Sequence, residues 1–246
     1  MTRFLVALAA VLTLTACAPP SPDVAALDHE FARRSTVRVD VELTVRADDA
    51  PAGHAFRQRG VLKLSPSGAD AADLVLESSH DGPRSLHSIQ TGGHVYYDRP
   101  PWSRMPLVVD EVTCDVPSYI GCLVDVLRPG VAEALLAASV SAAPDGAGTV
   151  RHSGVITGDR LHQAAGKRLL SLPMSVVPAA LSGDAEHSWS MWIGSDGLPR
   201  RVQASGPMSS VVPEPVSGLF MTVDIRFHDW GGSRTISAPA GYIDVG

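Results

Sequence analysis

The sequence predicts an α+β fold dominated by antiparallel sheet, and three observations predict it. Segment after segment alternates apolar and polar residues with a period of two, the pattern of a strand with one dry and one wet face. Short polar turns rich in Gly, Asp and Pro separate these segments, as in a meander. Only two or three short stretches carry helical spacing, few for the apolar area that the strands present.

In chain order, Asp23–Arg34 predicts a short helix. Asp23 caps it, Val24, Leu27 and Phe31 fall at helical spacing, and Arg33 and Arg34 suit its C-terminal end. Val37–Arg46 is the cleanest strand: Val37, Val39, Val41, Leu43 and Val45 face one way, and Arg38, Asp40, Glu42, Thr44 and Arg46 the other. After a loop over Asp48–Gly53, Phe56–Leu64 puts Leu62 and Leu64 inward. A turn over Ser65–Ala71 leads to Asp73–His80, with Leu74 and Leu76 inward. Arg84–Gln90 is a strand of unassigned facing. His94–Asp98 places Val95 and Tyr97 on one side, and Arg99-Pro100-Pro101-Trp102 ends it.

Met105–Cys122 has no period and exceeds the usual length of a connection, which makes it a candidate functional loop. Leu123–Leu127 leads to Pro129-Gly130. Val131–Val140 then reads as a helix through Val131, Leu135 and Ala138. Pro144–Gly148 is a loop, Thr149–Thr157 a strand and Leu161–Leu172 a second helix, which Pro173 and Pro178 interrupt. Ser188–Ala204 is a hairpin. Trp189, Met191 and Ile193 alternate with polar neighbours, Asp196-Gly197 makes the turn, and Pro199 opens the return strand. Val211–Pro215 is a loop. Leu219–Trp230 reads as the longest strand, with Leu219, Met221, Val223, Ile225 and Phe227 inward, and Ile236–Gly246 is a tail. About nine strands result, nearly all one-sided.

The N-terminus predicts the compartment. Arg3 precedes an apolar run, Phe4–Leu14, too short for a lasting membrane span. Leu14-Thr15-Ala16-Cys17 resembles a bacterial lipobox, so residues 1–16 read as a lipoprotein signal peptide and Cys17 as the acylated new N-terminus. Residues 17–22, with Pro19, Pro20 and Pro22, form a stiff tether, and 23–246 a single domain. The expected location is the outer face of the cell membrane, lipid-anchored. Cys114 and Cys122 remain as an even pair in an exported chain, which predicts a disulfide. The formal charge of −6 and the absence of a basic run give no electrostatic case for nucleic acid.

No His-Glu-x-x-His, no Cys/His cluster of zinc spacing, no Gly-x-Ser-x-Gly and no phosphate-cradling loop occurs, so neither a metal nor a cofactor nor an enzyme is expected. Asp28-His29-Glu30 reads as a solvated helix face.

The order of these elements, the segment MWIGSDGLPRRV at 191–202, and Asp229-Trp230-Gly231 with Pro239 after the last strand carry a family resemblance. Trp192, Asp196, Gly197, Leu198 and Pro199 are its most specific residues, and Tyr97-Asp98 with Trp102 adds to it. The chain resembles the LppX/LprAFG-type lipoproteins of actinobacteria, which share a fold with the LolA and LolB carriers. It departs from them at Cys114, Cys122, Pro173 and Pro178. The resemblance implies a curved, incomplete antiparallel β-barrel with helices covering the concave face. Between sheet and helices it implies a hydrophobic cavity for a lipid or glycolipid, and a function in lipid binding or transport to the outer envelope.

Val41, Leu43, Leu62, Leu74, Leu76, Val95, Tyr97, Trp189, Met191, Ile193, Met221, Val223 and Ile225 are the candidate cavity residues. The alternative from the same pattern is a dry, filled core, which would make the protein a non-enzymatic surface scaffold or sensor. Trp189, Trp192 and Trp230 are either mouth residues or packing at strand ends. A transporter or partner lipoprotein is compatible with either reading, and the sequence does not identify one.

Overall fold

The computed structural model describes residues 30–31, 33–47, 53–79, 84–98, 101–107, 114–167, 169–171, 179–210 and 218–245. Six strands come first: β1 (Thr36–Ala47), β2 (His54–Ser65), β3 (Gly68–Ser78), β4 (Arg84–Thr91), β5 (His94–Tyr97) and β6 (Trp102–Pro106). They pair antiparallel in sequence order, as short turns require.

A strap follows. It runs from Cys114 through a 3-10 turn (Ile120–Val124) into helix α1 (Pro129–Ala137). The second half comprises β7 (Ser139–Asp145), β8 (Thr149–Thr157), helix α2 (Gly158–Ala165), β9 (Leu170–Ser171), β10 (Ala179–Leu181), β11 (Glu186–Gly194), β12 (Pro199–Ser210), β13 (Leu219–His228) and β14 (Tyr242–Asp244). The order across the sheet is β14-β6-β5-β4-β3-β2-β1-β13-β12-β11-β8-β7, and β10 joins the far end of β12 with β9 outside it. Two meanders therefore meet where β13 returns to lie against β1, with Val41 opposite Ile225 and Leu43 opposite Val223. The sheet is curved and open: β14 and β7 are its two ends. The expected α+β class with an incomplete antiparallel barrel is the observed architecture, with helices packed on one face.

Several elements differ from the sequence reading. Fourteen strands are present among the described residues, not about nine, and β14 pairs parallel with β6. The region read as helix to Val140 and loop from Pro144 holds β7, because α1 ends at Ala137. Pro144 is tolerated there because β7 lies at the sheet edge. Helix α2 starts three residues earlier than expected and ends at Ala165. Thr157 caps it by accepting from Arg160 N at 3.4 Å, and Gly166 at φ 68° ends it in the left-handed region. β13 has ten residues and stops at His228, so β1, β2 and β12, with twelve each, are longer. Met105 belongs to β6, not to the loop.

Glu30, Phe31 and Arg33 are helical, and the rest of the expected Asp23–Arg34 helix lies outside the described residues. So do Cys17, the tether, Pro173, Pro178 and the Val211–Pro215 loop. The hairpin forms as expected, with Gly197 at φ 78° in its turn and Ile193 shifted by a bulge against Pro199.

The two faces differ as the alternation dictates. The outer face carries cross-strand ion pairs, such as Arg201 Nε to Asp224 Oδ1 at 2.9 Å, with Gln203 also donating to Asp224 at 3.1 Å. Toward β14 it becomes aromatic: Tyr96 packs edge-on against Tyr242 at 5.2 Å, and Trp102 against His87 at 5.1 Å. The inner face and the helices enclose one continuous core.

Candidate functional site: the covered apolar face

Alternation and register set the inner face. From Leu43, the row runs through Val223 and Ala204 to Trp189 in one direction and to Phe56 in the other. From Val41 it runs through Ile225 and Val202 to Met191. Leu62 lies beside Val37 and Ala72, and Leu74 and Leu76 follow on β3. The candidates on β1, β2, β3, β11 and β13 thus form one apolar surface, every one of them buried. Val223, Ile225 and Met221 have no exposure at all.

Val95 and Tyr97 share this face, opposite Gln90 and Ser88, but they stand apart from the aliphatic block. Val95 is buried and Tyr97 half-buried. Beyond them Met105, opposite Val95, is 42% exposed. Trp192 points outward, with the Arg201 guanidinium 5.0 Å from its ring centre. Trp230 is structural: it stacks on Phe31 at 5.6 Å and donates Nε1–H to the Pro199 carbonyl at 3.2 Å.

The strap seals the face. Val116, Tyr119, Ile120, Leu123, Val124, Val126 and Leu127 are buried in the same core as the sheet residues, and Val131 and Leu135 of α1 extend the cover. The Cys114–Cys122 disulfide is formed, with both sulfurs' residues buried. The described end of the aperiodic segment singled out in the sequence, Cys114–Cys122, is therefore part of the lining opposite the sheet, and 108–113 lie outside the described residues. The described end of that segment is bends and turns that run into a short 3-10 turn at Ile120–Val124, and neither imposes a two- or a 3.6-residue repeat.

Polar contacts place the strap, and sequence reasoning missed the residues that make them. Gln58 is buried on the apolar face, where its Nε2 donates to the Ser118 carbonyl at 2.6 Å and its Oε1 accepts from Ile120 N–H at 3.0 Å. Gln90 Nε2 donates to the Asp115 carbonyl at 2.6 Å. Both amides satisfy strap backbone that sheet pairing cannot reach. Alternation from Phe56 to Leu62 already assigns Gln58 to this face, so the signal was present in the spacing.

Ion pairs tie the strap's start to its far end and to the residue beyond α2: Asp115 is paired with both Arg128 and Lys167, the latter at 2.5 Å, and Arg128 also donates to the Ala165 carbonyl at 3.2 Å. Two imidazoles on the inner face were likewise missed, His152 on β8 and His187 on β11. Burial holds both below the ordinary histidine range, and His162 lowers His187 further.

Two hollows among the described residues lie outside this face. One of about 240 Å³ is lined by Ser188 to Ser190, Gln203 to Ser205 and Thr222, and its hydroxyl and amide side chains belong to the outer face. The other, about 650 Å³, surrounds the Asp229–Arg234 loop. Among the described residues no group of three or more His, Cys, Asp or Glu is placed to hold a metal ion, and no helix is long and apolar enough to cross a membrane.

Fold and site together define an open antiparallel sheet whose apolar face is closed by a disulfide-tied strap and two helices. No family model matches the chain, and no curated protein matches it. Among solved structures it is similar to the lipoprotein LppX of Mycobacterium tuberculosis, at 12% identity over 87% of this chain and 97% of that one, with a TM-score of 0.45. It is also similar to LprF from Mycobacterium bovis, at 15% identity over 90% and 100%, with a TM-score of 0.43. A LolA superfamily protein from Nitrosomonas europaea matches at 11% identity over 82% and 93%, with a TM-score of 0.31. The fold class stands on the strand order itself.

Proposed function

We propose that the protein is a membrane-anchored envelope lipoprotein that takes acyl chains of a lipid or glycolipid between its inner face and the strap. One observation carries this reading: the cover of the apolar face is a separate segment, joined to the sheet through the amides of Gln58 and Gln90, with its first residue tied to the 3-10 turn through the Cys114–Cys122 bridge. Lifting such a cover exposes a surface without charged side chains on β1, β11 and β13, where each buried methylene contributes about 0.8 kcal/mol. Val41, Leu43, Leu62, Leu74, Leu76, Trp189, Met191, Ile193, Met221, Val223 and Ile225 would then contact the chains, with Val95 and Tyr97 toward the β5 end. Anchoring would come through Cys17, with 1–16 removed, 17–22 as tether and the remainder as one domain. The chemistry proposed is binding, with no covalent step.

A second reading has its own observation. The candidate residues on the aliphatic block are already buried against the strap and α1, as in a filled core. A scaffold or sensor lipoprotein fits that packing.

Native mass spectrometry and lipid extraction of the full chain purified from its membrane, together with Val223→Trp, separate the two. The carrier reading expects co-purified lipid in the wild type and reduced loading in the variant. The scaffold reading expects no lipid and an overpacked variant less stable by about 1–3 kcal/mol; that combination would refute the carrier.

A further inference from the structure

We propose that the strap is fastened by a proton-sensitive clasp: the buried carboxyl of Asp125 takes up a proton as the strap closes, so the inner face is sealed more tightly in mildly acidic surroundings than in neutral ones. This stands whether the face receives lipid or stays filled.

The geometry is specific. Asp125 follows the 3-10 turn, and its side chain is 7% exposed. Its Oδ2 lies 3.6 Å from Arg128 Nε, beyond hydrogen-bond reach, and its Oδ1 has no partner. Arg128 Nε is equally unpartnered, because the guanidinium is turned to Asp115 and to the Ala165 carbonyl. Arg128 is therefore engaged mainly by Asp115 and the end of α2, and it meets Asp125 through Nε alone, as an ion pair at 3.6 Å. A buried carboxylate with one oxygen unpartnered is poorly solvated, whereas the neutral acid avoids much of that penalty.

The groups that act on Asp125 point the same way. Burial pushes its carboxyl up, Arg128 opposes, Asp115 on the strap's first turn pushes it further, and Lys167 beyond α2 opposes again; the balance lies at about 6. Tyr119, wholly buried nearby, stays neutral: burial raises its hydroxyl and the charge of Asp125 raises it more. An open strap returns Asp125 to water and to its ordinary value of 3.8. A carboxyl raised in the closed state disfavours closure once it is ionised. Closure is therefore favoured below about pH 6 and weakened as the pH rises through that value. Between pH 7 and pH 5 the closing equilibrium shifts by about tenfold toward the sealed form.

Hydrogen exchange of the full chain tests this, read on peptides spanning residues 116–127 and corrected for the intrinsic pH dependence of exchange. The expected result is about tenfold more protection at pH 5 than at pH 7 in the wild type. Asp125→Asn should lose this difference and show wild-type-like acidic protection already at pH 7. Protonation of the buried His152 and His187 acts in the opposite direction, but equally in both proteins. No gain in the wild type, or the same gain in Asp125→Asn, overturns the clasp. If the variant does not fold, carbon-13 titration of the Asp125 carboxyl in the wild type decides: a midpoint near 6 supports the clasp, and one below about 4.5 overturns it.

Discussion

Replacing Gln58 by Leu should destabilise the protein by about 2–4 kcal/mol. The side chain has no exposure to speak of, and it serves two strap groups at once, the Ser118 carbonyl at 2.6 Å and the Ile120 amide at 3.0 Å. Leu fits the apolar surroundings but strands both groups, and each buried, unsatisfied backbone group costs about 1–3 kcal/mol, partly offset by the extra apolar burial. Gln90→Leu is the control. Gln90 makes one strap contact, to the half-exposed Asp115 backbone, and its own Oε1 is already unpartnered. Removing an orphaned oxygen offsets the lost bond, so the net change should be within about 1 kcal/mol. Urea unfolding of the two variants, compared at a common slope, reads the difference directly. A Gln58→Leu loss under about 1 kcal/mol, or equal losses in the two variants, would show that the strap is held by apolar packing alone and that the amide bridges contribute nothing specific.

Three further outcomes are expected. Gly154→Ala should lower stability by about 1–3 kcal/mol in the same assay, because a Cβ there would sit 2.3 Å from the Ala138 carbonyl and 3.2 Å from the Trp189 ring. Reduction of Cys114–Cys122 should remove about 2–3 kcal/mol, as the chain entropy of a short closed loop allows; a reduced protein with an unchanged urea midpoint would count against any constraint from the bridge. Cys17→Ser should move the protein from the membrane fraction to the medium, and unchanged partitioning would sink the proposed anchor.

The one-sided strands were legible because alternation is a local property. Val37–Val45 and Met221–Phe227 specify their inward faces residue by residue, and any antiparallel neighbour must match them. The hairpin turn was legible for the same reason, since Asp196-Gly197 needs only its own backbone freedom. Short edge elements were not. β7, β9, β10 and β14 have two to seven residues, β7 with Pro144 among them, and exist because a longer strand offers them a free edge.

The sequence by itself determined that a wide antiparallel sheet would have one apolar face, that this face would carry no charge on β1, β11 and β13, and that Cys114 and Cys122 would pair. Only the tertiary structure decided what lies on that face. The strap is brought over the sheet by contacts between residues far apart in the chain, Gln58 with Ile120, Gln90 with Asp115 and Asp115 with Lys167. No periodicity records such pairs, because each depends on where the fold places a single side chain. The same holds for Asp125, an ordinary acid in the sequence that becomes a buried one with its Oδ1 unpartnered only when the fold directs the hydrogen bonds of Arg128 to Asp115 and Ala165.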